Sequence, residues 1–325
     1  MSQNEEHKEL MHYTSASGLH GIVTSKTLWA SHTSFMNDTE EVVGYFNRVL
    51  PIILKRALEK HVSESEDHTK LVQLARQSGL DKMHIWLRGL VEGLVEAEKA
   101  QDHYVASFCT PQNEWISQHG LLSQWRGYGP TGGYAIVFDY AMLGSMLTAE
   151  KYDEERIILA DVQYDMADLS EVRDEQCLRN VDKVEQGMFT FLTTGDYMNT
   201  EVQEAIESSS VLSVLCKHRG FEEEKEVRIV VSEPSVKIGP DPSNESGKPC
   251  RKIRNYLRDG VPVPCVHLFE DQKLNTLPIR CVIVGPHPEK LERKKAVEIL
   301  LCNYGIDAKV LVSDTPFRGL RSEKM

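Results

Sequence analysis

Phe221-Glu222-Glu223-Glu224-Lys225-Glu226-Val227-Arg228-Ile229-Val230-Val231 is the stretch on which the fold turns. Its second half alternates with period two, so Val227, Ile229 and Val231 share one face of a strand while Glu224, Glu226 and Arg228 share the other. Such a face can hold a paired carboxylate and guanidinium, or carry the cross-strand ion pairs of an exposed sheet surface.

Working outward, the same period recurs in HYVASFC (103–109), GYAIVFD (133–139) and at 157–164, 261–268, 279–284 and 309–312. Helical patterns fall between these strands, at roughly 141–149, 170–192, 200–217 and 288–303. Upstream, MHYT (11–14) reads as a strand and is followed by a helix carrying Leu19, Ile22 and Val23, with Ser15 as its cap. TLWAS (27–31) reads as the return strand. In SFMNDTEEV (34–42), Asn37 or Asp38 can cap a helix, and Glu41 has capping-box spacing to Asp38.

Residues 46–100 read as an inserted helical hairpin, with stripes at Leu50, Ile53, Leu54, Ala57 and Leu58 and at Leu87, Leu90, Val91, Leu94 and Val95. The intervening His61, His68 and His84 lack ligand spacing. KIGPDPSNESGKPC (237–250) has loop composition. The class expected is α+β: a mixed, largely antiparallel sheet core with an N-terminal helical insertion. A C-terminal strand–helix–strand unit (282–285, 288–303, 309–312) completes it, and residues 1–325 form one domain.

Composition narrows the function classes. With 41% hydrophobic residues the chain can bury a core, and no run approaches the ~20 apolar residues of a bilayer span. The polar start MSQNEEHKEL lacks secretory character, so a cytoplasmic location without membrane partners is expected. Seven cysteines without CxxC spacing signal neither a disulfide framework nor a zinc site, and no metal is expected. Cys265 and Cys281, inside apolar runs, read as buried thiols. A net charge of -12 opposes a broad basic surface for nucleic acid but leaves room for a local basic cleft.

Three further segments can carry chemistry. His12 and Thr14 share a strand face. In Ser123-Gln124-Trp125-Arg126-Gly127-Tyr128-Gly129, read as a turn, glycines allow close backbone approach; Arg126 can grip a phosphate, and aromatic rings can stack on a flat ligand. Ser313-Asp314-Thr315-Pro316-Phe317-Arg318 brings another arginine to a strand end, a common ligand position.

In this order the motifs HYTS, LWAS, NDTEE, LSQWRGYG, GYAIVF, EEKEVRIV and SDTPFR resemble an uncharacterised bacterial domain family over about residues 10–320. That family is in turn similar to ADP-ribosyltransferases of bacterial toxin–antitoxin and phage-defence systems. The resemblance implies an ADP-ribosyltransferase-like sheet and transfer of ADP-ribose from NAD to a nucleic-acid or protein acceptor, under the control of a neutralising antitoxin.

By that resemblance, His12 would hold the adenosine-side ribose, Tyr128 or Tyr134 would stack on the nicotinamide, and Glu226, with Glu224 as competitor, would face the nicotinamide ribose. Arg126, Arg228 or Arg318 would neutralise the pyrophosphate. NAD hydrolysis, the chemistry of RNA 2′-phosphotransferase relatives and non-catalytic nucleotide sensing are the alternatives.

Overall fold

The computed structural model describes residues 7–36, 44–56, 101–128, 132–150, 157–164, 166, 169, 172, 174–194, 196, 198–234, 252–258, 260–272 and 276–316. The expected cap at Asn37–Glu41, the helical stripes beyond residue 56, the 237–250 loop and Arg318 lie outside the described residues, as does the side chain of Tyr128.

The strands are β1 (Glu9–Thr14), β2 (Leu28–His32), β3 (Gln101–Cys109), β4 (Tyr134–Asp139), β5 (Ile157–Asp161), β6 (Gln163–Tyr164), β7 (Cys216–Lys217), β8 (Glu226–Pro234), β9 (Ile253–Arg258), β10 (Val261–Leu268), β11 (Ile279–Val284) and β12 (Lys309–Val312). The helices are α1 (Ala16–Ser25), α2 (Glu114–His119), α3 (Leu122–Tyr128), α4 (Tyr140–Thr148), α5 (Glu175–Thr194), α6 (Thr200–Leu215) and α7 (Lys290–Asn303). A π-helical stretch, Tyr45–Val49, continues as α-helix to residue 56.

The class is α+β, built on a ten-stranded, mostly antiparallel sheet. Its order is β12-β11-β4-β1-β3-β2-β10-β9, with β8 and β5 branching from β3. The main-sheet parallel pair is β11 with β12, joined through α7. Strand β3 gives its full length on one edge to β8, and shares the other between β1, through Met11 and Cys109, and β2, through Ser31 and Val105. The sheet forks between those two attachments.

Both faces are covered, which is why β4 is buried along nearly all its length rather than on alternate residues. Directly opposed residues share a face. On one face Leu10, Phe108, Ile136, Phe138, Ile229 and Val282 pack with α1, α4 and α7. On the other, Met11, Tyr13, Ala135, Val137 and Ile283 pack around Trp125 of α3. The same side of β3, β5 and β8 packs Val105, Ala160 and Val230 against Val211, Val214 and Leu215 of α6. Outside this layer, α5 and the helix at 44–56 pack on α6.

Local signals account for the ends of several elements. Ser15 caps α1 by accepting the Gly18 amide at 3.2 Å, and Lys26 closes the helix in the left-handed region. The expected turn at Ser123–Gly129 is instead helical through Tyr128. The Trp125 amide donates to the Leu121 carbonyl at 3.1 Å, and the fully buried indole anchors the turn of helix that a glycine-rich reading missed. Strand β9 and helix α2 were likewise unexpected. No described helix is long and apolar enough to cross a membrane.

Candidate functional site

Register separates the residues that the sequence suggested as one centre. His12 lies opposite Ile136, whereas Arg228 lies opposite Ser107 and Ala160. His12 therefore belongs to the face packed by α1, α4 and α7, and Glu226 and Arg228 to the face covered by α6. Tyr134 sits with His12, opposite Thr14, and is packed into the core. Arg126 is exposed on α3.

His12 has a structural task at the fork. Its Nδ1 lies 2.9 Å from the Ser107 carbonyl, which can only accept, so Nδ1 carries the proton. Burial lowers its pKa, the carbonyl bond opposing, and Phe108 packs 5.6 Å from its ring. The neutral ring thus satisfies a carbonyl of β3 where the sheet divides.

On the opposite face, Glu226 and Arg228 form a buried ion pair rather than an exposed ladder. Arg228 Nε donates to Glu226 Oε1 at 2.7 Å, Nη2 donates to Oε2 at 3.0 Å, and Nη1 reaches the Val214 carbonyl at 2.5 Å. Lys217, in β7 just after α6, donates to Glu226 at 2.9 Å and to Glu224 at 2.8 Å. Glu224 is not on the strand; it ends a 3-10 turn, and Lys225 at φ 41° redirects the chain into β8. Burial alone would raise the Glu226 pKa, but Arg228 and Lys217 outweigh it and hold the group down at about 2. Burial raises the Glu224 pKa. Two carboxylates and two cations neutralise one another here, so Glu226 is already saturated by donors.

An open cleft lies at the same end of the sheet, where β1 begins and β3 ends. It holds about 540 Å³ and is lined by His7, Lys8, Glu9, Thr110, Ser117 and Arg280, among others. His7 Nε2 meets Asp161 Oδ1 at 2.7 Å. Glu9 accepts from Ser117 Oγ at 3.0 Å and lies 3.5 Å from Arg280, which also approaches Asp139 at 3.7 Å. Thr110 ties the cleft to the buried network: its amide and hydroxyl both donate to the Lys225 carbonyl at 3.0 Å. The arrangement offers an oriented imidazole, a carboxylate near solvent and cations for an anionic group.

Sequence reading passed over this cleft, because its residues belong to no single motif. A signal existed: Asp139 and Asp161 each end an apolar strand, and Glu9 opens another opposite Asp139.

The SDTP segment clamps α2 instead of facing the cleft. Ser313 Oγ donates to the His119 carbonyl at 2.6 Å, and the Asp314 amide donates to His119 Nδ1 at 3.2 Å. Burial pushes the Cys265 and Cys281 thiols up to about 11, which removes them as thiolate nucleophiles near neutrality. Among the described residues no group of three or more His, Cys, Asp or Glu is placed to hold a metal.

No curated protein and no solved structure matches the chain. Residues 124–229 match a family model described as "Protein of unknown function (DUF2971)". The matched stretch runs from α3 to β8 and so carries Trp125, Lys217, Glu224, Glu226 and Arg228.

Proposed function

We propose that the chain is an enzyme acting on a nucleotide in the cleft between His7 and Arg280, and that its reaction is transfer of ADP-ribose from NAD to a macromolecular acceptor. The motif resemblance supplies the reaction class. One observation supports the location: His7, which Asp161 bonds from behind the lining, and the Glu9–Arg280 pair line a single cleft of about 540 Å³, within the ~300–1,000 Å³ usual for small-molecule sites.

In this reading Lys8 and Arg280 hold the pyrophosphate. As the bond between the ribose C1′ and the nicotinamide nitrogen breaks, nicotinamide leaves with the bonding electrons. Glu9 stabilises the positive charge developing on the ribose. An acceptor oxygen or nitrogen then bonds to C1′ and gives its proton to His7, which Asp161 orients. Glu226 and Arg228 act as positioning residues that fix the start of β8 beside Thr110.

The test is incubation of purified protein with NAD and DNA, RNA or protein acceptors, following nicotinamide release by mass spectrometry. Glu9→Gln and His7→Ala are expected to slow release by roughly 10²–10⁴-fold. Absence of release with every acceptor would overturn the reading. Release unchanged in Glu9→Gln but lost in a folded Glu226→Gln variant would return the chemistry to β8.

A further inference from the structure

The outer part of the sheet carries a feature that the cleft does not use. In Lys252-Ile253-Arg254-Asn255-Tyr256-Leu257-Arg258, alternation puts Arg254, Tyr256 and Arg258 on one side of β9, with Lys252 at the same parity just before it. Opposed residues extend that face inward: Cys265 pairs with both Arg254 and Ser31, and His267 pairs with Trp29. A basic edge strand therefore borders an aromatic row.

The rings are held in place. Trp29 and His267 stack at 5.3 Å with planes 8° apart, and Tyr256 lies 5.5 Å from Trp29. Trp29 Nε1 donates to Thr27 Oγ1 at 3.1 Å, and the Tyr256 hydroxyl bonds Ser31 Oγ at 3.0 Å. All three rings remain half-buried and Lys252 is exposed. The Arg254 guanidinium bonds Glu270, and Arg258 donates to the Phe35 carbonyl, so both cations are fixed beside the rings. Lys252, Arg254 and Arg258 thus gather along this strand, with Glu270 paired to Arg254, on a chain whose net charge is -12.

We infer that this face binds a single-stranded nucleic acid, with bases stacked on the Trp29–Tyr256–His267 row and phosphates on Lys252, Arg254 and Arg258. A flat ring beside a cation suits a nucleobase beside its phosphate. A duplex buries its base faces, and a run of acidic side chains has no rings to stack, so the aromatic row favours a single strand. That the strand is also the ADP-ribose acceptor rests on the reaction proposed above; the binding does not.

Fluorescence anisotropy tests this with a labelled 12-nucleotide single strand as DNA and as RNA, the corresponding duplex, and poly-glutamate. Either single strand is expected to bind at least about 10-fold tighter than the duplex or poly-glutamate, since stacking on one ring alone contributes that much. Tyr256→Ala should weaken binding by roughly 5- to 100-fold. Arg258→Gln should reduce the slope of log affinity against log salt by about 0.7, one phosphate contact on a single strand.

His7→Ala should bind like the wild type, which separates this inference from the fate of the cleft. Failure of both single strands to bind, equal affinity for duplex or poly-glutamate, or normal binding by a folded Tyr256→Ala would overturn it. Loss of binding in His7→Ala would do the same, by moving the strand into the cleft.

Discussion

Arg228 grips Glu226 from two positions along the same strand, through bonds of 2.7 and 3.0 Å, with both side chains shut away from water. Such a pair contributes little net stability over a well-packed apolar pair, but removing the guanidinium leaves buried Glu226 with Lys217 and without its two arginine bonds, which is costly. Arg228→Met should therefore lower unfolding free energy in urea titrations, by at most about 3–5 kcal/mol. Adding Glu226→Gln should recover part of that loss; a double variant weaker than the single one would contradict the pairing.

Acid should act on the same pair. The Glu226 pKa is held at about 2 against an ordinary 4.5, so its contribution is complete above about pH 4.5 and is lost as pH falls through 2. In the double variant the acid limb of the stability–pH curve should be shallower.

His103 on β3 predicts a separate limb at higher pH. It is fully buried, with Nδ1 3.0 Å from Ser232 Oγ and Nε2 against Ser210 Oγ. Burial, aided by nearby His32 and opposed by Asp102, pushes its pKa down to about 4. The unfolded chain takes up a proton near pH 6.5 while the folded chain waits until about 4, so stability is full above 6.5 and declines on acidification to 4. The decline has a ceiling of about 3 kcal/mol. His103→Gln should flatten the urea midpoint between pH 6.5 and 4; an unchanged slope would assign the limb to another group.

Arg280 separates binding from folding. Its ion pairs with Glu9 and Asp139 are long and its side chain is 47% exposed, so Arg280→Ala should cost under about 1 kcal/mol of stability. If the cleft takes a pyrophosphate, the same change should raise the KM for NAD by roughly 10- to 100-fold, the scale of one charge-assisted hydrogen bond. A normal KM in the folded variant would remove Arg280 from the substrate.

Strands and helices were largely legible because their burial follows simple periods. Ile229 and Val231 announce a core face, and Ser15 announces a helix start. β9 escaped because it lacks a buried apolar face to announce it: only Ile253 joins the main core, and Leu257 is 72% exposed. The site was less legible, since face membership across strands depends on register. Period two places Glu226 with Arg228, as found, but says nothing of His12 relative to either. The cleft residues come from the start of β1 and the two residues before it, from β11 and from the chain after β3, and only pairing brings them together.

Trp125 shows how a residue type can point two ways, and it yields a prediction of its own. In sequence its neighbours Arg126 and Gly127 suggest a ligand grip; in the fold its ring fills the space between α3 and the sheet, 4.9 Å from Tyr13. Backbone makes room for it. Gly120 at φ 74° and Gly285 both approach so closely that a Cβ at either would lie within 3.0 Å of the indole. Trp125→Ala should thus cost about 3–5 kcal/mol through the cavity it opens. Trp125→Phe should cost less, about 1–2 kcal/mol, because the His119 carbonyl that loses the indole N–H keeps the Ser313 and Thr315 hydroxyls. Thermal unfolding of the two variants beside Gly285→Ala decides the matter: a ligand-stacking tryptophan would leave all three near the wild-type midpoint, whereas a packed one lowers it in each, most in Trp125→Ala.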